Sequence, residues 1–340
     1  MRAVTYSRTG APDVLEVGER EKRDPGPGEV RLMVHRSGVN PTDWKTRRGG
    51  QASVSVDPPQ VPNQDGAGIV DAVGEGVEVA LQGLRVWVWE AAHGRPDGTA
   101  QEYAVVPASH VVTLPETASF DLGASLGVPY LTAHRCLTVT EDGPARLGPG
   151  TLEGRAVLVT GGAGAVGHAA IQLAHWSDAT VLTTVSSPEK ANLARLAGAD
   201  HVIDYRTEDV VAEVRGIAPH GVHTIVEVAP AANAAVDAQV IGLHGSVAAY
   251  AGVPGDQLAL PVRELMAQNA RWQFVLLYSA PDSWRRRALE DVQAAVVDRA
   301  VGVGAESGMP LHHFSLADTA KAHAAVEDGA VGKVLIDVVE

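Results

Sequence analysis

The glycine-rich segment at residues 155–176, RAVLVTGGAGAVGHAAIQLAHW, restricts the fold of this chain more than any other. Gly162, Gly164 and Gly167 satisfy the pattern G-x-G-x-x-G. An apolar run enters the pattern and a helix-periodic run leaves it. Such a strand–turn–helix unit suits a dinucleotide for physical reasons. Gly162 permits the tight turn, Gly164 lets backbone N–H groups approach a pyrophosphate, and Gly167 lets the helix sit close to the strand. The helix N-terminus then stabilises the anion. Ala163, Ala165 and Val166 complete the loop. Two other phosphate patterns fail. A P-loop needs Gly-Lys-Ser/Thr, and Gly167 is followed by His168. A short-chain dehydrogenase needs glycine at Ala165 and a Tyr-x-x-x-Lys pair, which none of the tyrosines supplies.

The end of the second strand selects the dinucleotide. An NAD site wants Asp or Glu there, to bond the ribose hydroxyls. Strand 180–185 instead leads into Ser186 and Ser187, and the first acid, Glu189, lies between Pro188 and Lys190. Small hydroxyls and a lysine suit a 2′-phosphate, so the cofactor expected is NADPH. Ser187 also reads as a helix N-cap ahead of Pro188, so the missing acid carries more of the argument.

From 155 onward, strand and helix patterns alternate: helix 188–197, strand 201–204, helix 207–217, strand 222–228, helix 231–241 and strand 245–251. Residues 272–278 can extend the sheet at an edge. Alternation of this kind predicts a doubly wound parallel sheet, the Rossmann arrangement. Residues 1–115 differ: short Val- and Leu-rich runs punctuated by Gly and Pro predict a β-rich, barrel-like domain. Residues 281–340 return to that texture after a charged helix at 282–299. The chain therefore reads as α/β, with residues 1–122 and 281–340 forming one domain and 123–280 inserted between them.

Bulk properties exclude several classes. A net charge of −14 provides no basic face for nucleic acid. No apolar run reaches the roughly 18 residues of a membrane span, and the N-terminus lacks the apolar core of a signal peptide. A single cysteine, Cys136, permits no internal disulfide and suits a reducing cytosol, so a cytoplasmic protein is expected.

Several further segments occur in a characteristic order: Val39-Asn40-Pro41-Thr42-Asp43-Trp44-Lys45, Asp65-Gly66-Ala67-Gly68, Gln101-Glu102-Tyr103, Leu131-Thr132-Ala133, the glycine turn, Val185 to Lys190, Ile203-Asp204-Tyr205 and Gly332-Lys333-Val334. Together they resemble the zinc-free, zeta-crystallin-like quinone oxidoreductases of the medium-chain dehydrogenase/reductase superfamily. The resemblance implies a GroES-like catalytic domain, an inserted Rossmann domain, NADPH and a homodimer. It implies that Ser187, Lys190 and Tyr205 contact the 2′-phosphate, and that Asn40, Asp43 and Thr132 lie near the nicotinamide. Tyr250, Ala251 and Gly252 match the loop behind the nicotinamide, and Val275 and Leu277 match the strand region beside it. Lys333 matches the entry to the C-terminal strand, and the resemblance counts it among the cofactor-binding residues. Where the zinc-dependent relatives carry Cys and a His-Glu pair, this chain has Asn40 and Gln64-Asp65, so no metal is expected. Lys45 stands where the best-known quinone oxidoreductases often carry tyrosine.

The expected reaction is hydride transfer from NADPH to a small apolar quinone or conjugated carbonyl compound. Without a metal, donors such as the Asn40 amide, Lys45 and backbone N–H groups must stabilise the oxyanion. Asn40, Asp43 and Lys45 are the candidate catalytic residues. Each has a plainer reading: Asn40 as a turn cap, Asp43 as an orienting group, Lys45 as a solvated charge. Tyr130 and Trp272 read as pocket or core, and Arg285-Arg286-Arg287 as a phosphate clamp or a charged helix face. An NADPH-dependent enoyl or alkenal double-bond reductase fits the same residues. A non-catalytic NADPH-binding redox sensor is the reading from a different class.

Overall fold

The computed structural model describes residues 1–50 and 52–339. The chain opens with strands β1 (Arg2–Arg8), β2 (Glu16–Glu19) and β3 (Glu29–Val39), then helix α1 (Pro41–Arg48). Strands β4 (Ser55–Gln60), β5 (Asp65–Val73), β6 (Arg85–Val88), β7 (Tyr103–Pro107) and β8 (Val111–Thr113) follow, then helix α2 (Phe120–Leu137). Alternation begins at β9 (Ala156–Thr160) and α3 (Ala165–Trp176), then β10 (Thr180–Val185), α4 (Pro188–Leu196), β11 (His201–Asp204) and α5 (Val210–Ile217). It continues through β12 (Val222–Glu227), α6 (Pro230–Val240), β13 (Ile241–Ala249), α7 (Val262–Ala267) and β14 (Arg271–Phe274). Helix α8 (Asp282–Val297), strand β15 (Leu311–Ser315), helix α9 (Thr319–Glu327) and strand β16 (Lys333–Asp337) close the chain.

Two compact units result: Met1–Val128 with Pro310–Glu340, and Pro129–Met309. The first is β-rich. Its larger sheet runs β15-β16-β3-β5-β6-β8, with β7 also paired to β3, and a smaller sheet runs β2-β1-β4. Strand β3 is the hub, pairing antiparallel with β16, β5 and β7. Its alternation of apolar and polar residues buries Val30, Leu32 and Val34 in a core that includes Val86, Val106 and Ile336.

The second unit holds a six-stranded sheet in the order β11-β10-β9-β12-β13-β14. All five pairings are parallel. Near-continuous apolar runs such as AVLVT in β9 are buried on both faces, as helix-covered parallel strands require. Leu158, Leu182, Ile225 and Val247 form its centre.

The structure moves both domain boundaries from those expected, 122/123 and 280/281. Residues 123–128 stay with the β-rich unit because Val128 N–H donates to the Asp65 carboxylate at 2.9 Å. Gly127 lies so close that a Cβ there would sit 2.1 Å from Asp65 Oδ1. Helix α8 belongs to the second unit, not to the returning segment. It buries Trp284 and Asp291, and both bond His134 of α2, at 3.1 and 2.8 Å. Helices α1, α2 and α7 also lie outside the elements expected from the sequence. Residues 41–48 form α1, with Pro41 in the first turn and the Asp43 carboxylate accepting the Asn40 N–H at 2.7 Å.

Candidate active site

Because the six strands run parallel, their C-terminal ends share one edge, where α/β sheets bind ligands. The glycine turn follows β9 there. The left-handed residue of the turn is Gly161, with φ +69, not Gly162 as the spacing suggests. Gly162 is needed for close packing instead: a Cβ on it would lie 2.1 Å from Thr183 Oγ1 of β10. Gly167 has the expected role, since a Cβ there would lie 2.4 Å from Gly161 O. Gly164 is different. Its Cβ would meet only Gly161 O, at 3.4 Å, so the fold itself does not demand glycine. Gly164 is the N-cap of α3, and it supplies no side-chain cap. No side chain caps the first N–H groups of α3, at Ala165 and Val166. Ala163, one residue earlier, is buried.

The end of β10 carries the hydroxyl–lysine group. Lys190 Nζ donates to Ser186 Oγ at 3.0 Å, and Ser187 Oγ accepts from Lys190 N at 3.3 Å. Ser187 is thus the N-cap of α4, as its plainer reading held. Among the described residues Lys190 forms no ion pair, and the residue is half-buried. Tyr205, just past β11, is 53% exposed and is tied to the end of β10 by its N–H, which donates to Val185 O at 3.1 Å. Tyr250, Ala251 and Gly252 follow β13, and Val275 follows β14. Burial pushes the Tyr250 phenol well above its usual range. Leu277 is buried in a 3-10 turn, and Thr132 is buried on α2. Tyr130 is a core residue, its hydroxyl donating to Gln172 Oε1 at 2.6 Å.

The β-rich unit holds a second polar group. Asn40, Asp43, Asp65 and Lys333 are all buried. Lys333 Nζ donates to Asn40 Oδ1 at 2.7 Å, and Asn40 Nδ2 donates to Asp65 Oδ2 at 2.7 Å. The amide orientation of Asn40 is therefore fixed from both sides. Asp43 accepts from the N–H groups of Asn40 and Gln64, which binds α1 to the start of β5. Burial pushes Asp43 up to about 8, helped by the Asp65 charge. Burial also pushes Asp65 up to about 6, against the pull of Lys333. Burial lowers Lys333 in turn, opposed by both carboxylates. Two acids and one base share the cluster, so it is one proton from neutrality.

Lys45 is not part of this group. It is exposed, with Nζ 5.9 Å from the centroid of the Trp44 ring. Asp65 and the Lys333 pairing were missed in the sequence. A lysine heading the buried run VLID was the available signal, because such a charge needs a partner. Among the described residues, no three His, Cys, Asp or Glu side chains are arranged to hold a metal ion.

Comparison with known proteins fits this architecture. Residues 26–116 match the alcohol dehydrogenase GroES-like domain, and residues 165–294 match the zinc-binding dehydrogenase model. Quinone oxidoreductase of Sus scrofa is 30% identical over 345 residues, covering 99% of this chain and 97% of that protein. The chain belongs to the quinone oxidoreductase branch of the medium-chain dehydrogenase/reductase superfamily. The synaptic vesicle membrane protein VAT-1 homolog of Rattus norvegicus, 31% identical over 303 residues, covers 88% of this chain and 68% of that protein. A mycobacterial structure complexed with NADPH superposes with a TM-score of 0.80 at 28% identity, over 99% of both chains. An NAD-dependent alcohol dehydrogenase superposes with a TM-score of 0.84 at 26% identity, over 100% of both chains. Members of this superfamily use NAD or NADP, so fold likeness leaves the choice of dinucleotide to the residues at the end of β10.

Proposed function

We propose that this chain is an NADPH-dependent reductase that transfers hydride to a quinone or conjugated carbonyl acceptor without a bound metal. The observation that carries this reading is the glycine cradle beside the Lys190–Ser186 pair. The residues fit the cofactor: Gly164 faces open space that a Cβ would fill, the N-terminus of α3 is uncapped, and Lys190 has no carboxylate partner among the described residues. The α3 N–H groups would hold the pyrophosphate. Lys190, Ser186 and Ser187 would hold the 2′-phosphate, with Tyr205 beside it. Tyr250, Ala251, Gly252, Val275, Leu277 and Thr132 would shape the nicotinamide end. When bound, NADPH supplies the hydride.

The residues of the β-rich unit supply electrostatics. Asn40 commits one amide hydrogen to Asp65 and its carbonyl oxygen to Lys333. Its remaining amide hydrogen, with the Lys333 charge behind it, would stabilise negative charge developing on the acceptor oxygen. Asp43 would hold Asn40 in place through the backbone. Lys45, being exposed, would at most exchange protons with solvent. An amide at Asn40 and another at Gln64 are poor zinc ligands, which supports the metal-free reading.

Strand β14 lies at the edge of its sheet, and Phe274 and Leu276 are 64% and 60% exposed. An unprotected apolar edge supports a homodimer formed there. The acceptor is tested by steady-state oxidation of NADPH against a panel of quinones, enals and enoyl thioesters. Quinone or enal turnover is expected. Tight NADPH binding with no turnover of any acceptor would turn the reading to a binding protein.

A further inference from the structure

Of the six strand ends at the ligand edge, β12 carries a group that the cofactor reading has not used. Strand β12 ends in Glu227, and helix α6 starts at Pro230. Glu227 is 0% exposed and Asp237, on α6, is 1% exposed. Glu227 Oε1 accepts from Ala229 N–H and from Asn233 Nδ2, the latter at 3.0 Å. It thereby caps α6, whose N-cap residue Ala229 has no side-chain acceptor of its own. Glu227 Oε2 and both Asp237 carboxyl oxygens are buried without an N–H or O–H donor from the described residues. The Glu227 charge acts on Asp237 across this buried space. A proton held between the two carboxyl groups would satisfy the oxygens that lack partners.

We propose that Glu227 and Asp237 share one proton and act as a positioning pair for the dinucleotide site. The chain from the pair to the site is short. Capping fixes the turn at Val228 and Ala229. Val228 N–H donates to Thr160 Oγ1 at 2.9 Å, at the end of β9. The next residue, Gly161, packs so closely on this turn that a Cβ there would lie 3.1 Å from Val228 Cγ1. The protonated carboxyl falls to Asp237, which has no N–H donor among the described residues to hold a negative charge and which burial beside the Glu227 charge raises. Glu227 keeps the negative charge, where the α6 N-terminus and two N–H donors stabilise it. A loss of the proton bridge would leave a buried oxygen unpaired and loosen the wall on which the glycine turn rests.

The inference rests on the NADPH reading, and its test separates the two. Infrared difference spectra of the full chain at neutral pH should show a protonated carboxyl band that D237N removes. Asparagine can donate as the protonated acid does, so D237N should bind NADPH within about twofold of wild type. D237A should bind NADPH about tenfold more weakly, with kcat at saturating NADPH and quinone little changed. If D237A does not fold, E227Q serves. Its amide can donate to an ionised Asp237, so the band should vanish while NADPH affinity is kept. No protonated band in wild type overturns the proposal. So does a D237A protein of lower thermal stability with unchanged NADPH affinity, or a D237N protein as impaired as D237A. Wild type that binds no NADPH overturns the cofactor reading instead and leaves the infrared result standing.

Discussion

The four glycines of the turn offer a sharp separation of folding from binding. Gly167→Ala places a Cβ 2.4 Å from Gly161 O and 3.0 Å from Gly162 Cα, both backbone atoms. Neither can rotate away, so the helix or the turn must shift. Overpacking of this kind costs about 1–3 kcal/mol, or a Tm drop of about 2–12 °C for a unit of this size. Gly164→Ala meets only Gly161 O at 3.4 Å, an ordinary contact. Its backbone, at φ −83 and ψ 161, suits any residue. The smaller unfolded-state entropy of alanine offsets its poorer N-capping, so stability should change by less than about 1 kcal/mol. Binding should respond in the opposite order. A methyl group at Gly164 keeps a phosphate from the α3 N–H groups. Losing one charge-assisted hydrogen bond of about 1.5–3 kcal/mol weakens NADPH roughly 10- to 150-fold. Thermal unfolding and calorimetric titration of the two variants read both quantities. A G164A protein that melts like wild type and also binds NADPH like wild type would refute the ligand role of that glycine.

Three further outcomes follow from the buried charges and the open edge. Burial pushes His168 down to about 4 and His323 to about 3, so each stays neutral in the fold while the unfolded chain charges it near 6.5. Their contribution is full above about 6.5 and is lost as pH falls toward those values; charging His168 in the fold alone costs about 3 kcal/mol. The mutant H168N should therefore show a shallower loss of Tm with acidity, and an unchanged acid limb would contradict the assignment. Lys333→Met leaves Asp65 buried without its ammonium, at a cost of about 3–5 kcal/mol. Asp65 can recover part of this by taking up a proton, so the deficit should be smaller at about pH 5 than at about pH 8; equal deficits would count against the ion pair. Light scattering should show a dimer for wild type and a monomer for F274K, and a monomeric wild type would remove the edge-strand interface.

The sheet of the second unit was readable because its signals are local. Apolar runs, glycine punctuation and the cap at Ser187 place β9, α3, β10 and α4 within a residue or two. The first unit was readable only as a texture, since its antiparallel pairs join distant residues, as β3 joins β16. Distance in sequence hid the polar cluster too. Asn40 and Lys333 meet across 293 positions, and nothing near either residue announces the other. The glycine pattern fixed spacing but not conformation, so Gly161 took the left-handed position expected of Gly162. Helix α8 looked like the start of the returning segment because its visible surface is charged. Its assignment depends on Trp284 and Asp291, which face inward onto His134. The eight residues of α1 carry three basic side chains and few apolar ones, so they lack the periodicity that marks a helix.

Metal-free reduction with NADPH selected by Lys190 is the central claim. One measurement tests it most directly: the rate of reduced-nicotinamide consumption with a benzoquinone acceptor, for NADPH and NADH, in wild type and K190A. Protein stripped with a chelator should consume NADPH in preference to NADH, and K190A should lose roughly 10- to 150-fold in kcat/KM for NADPH with little change for NADH. Equal losses with both dinucleotides, or activity that disappears with chelation, would contradict a metal-free reductase that selects NADPH through Lys190.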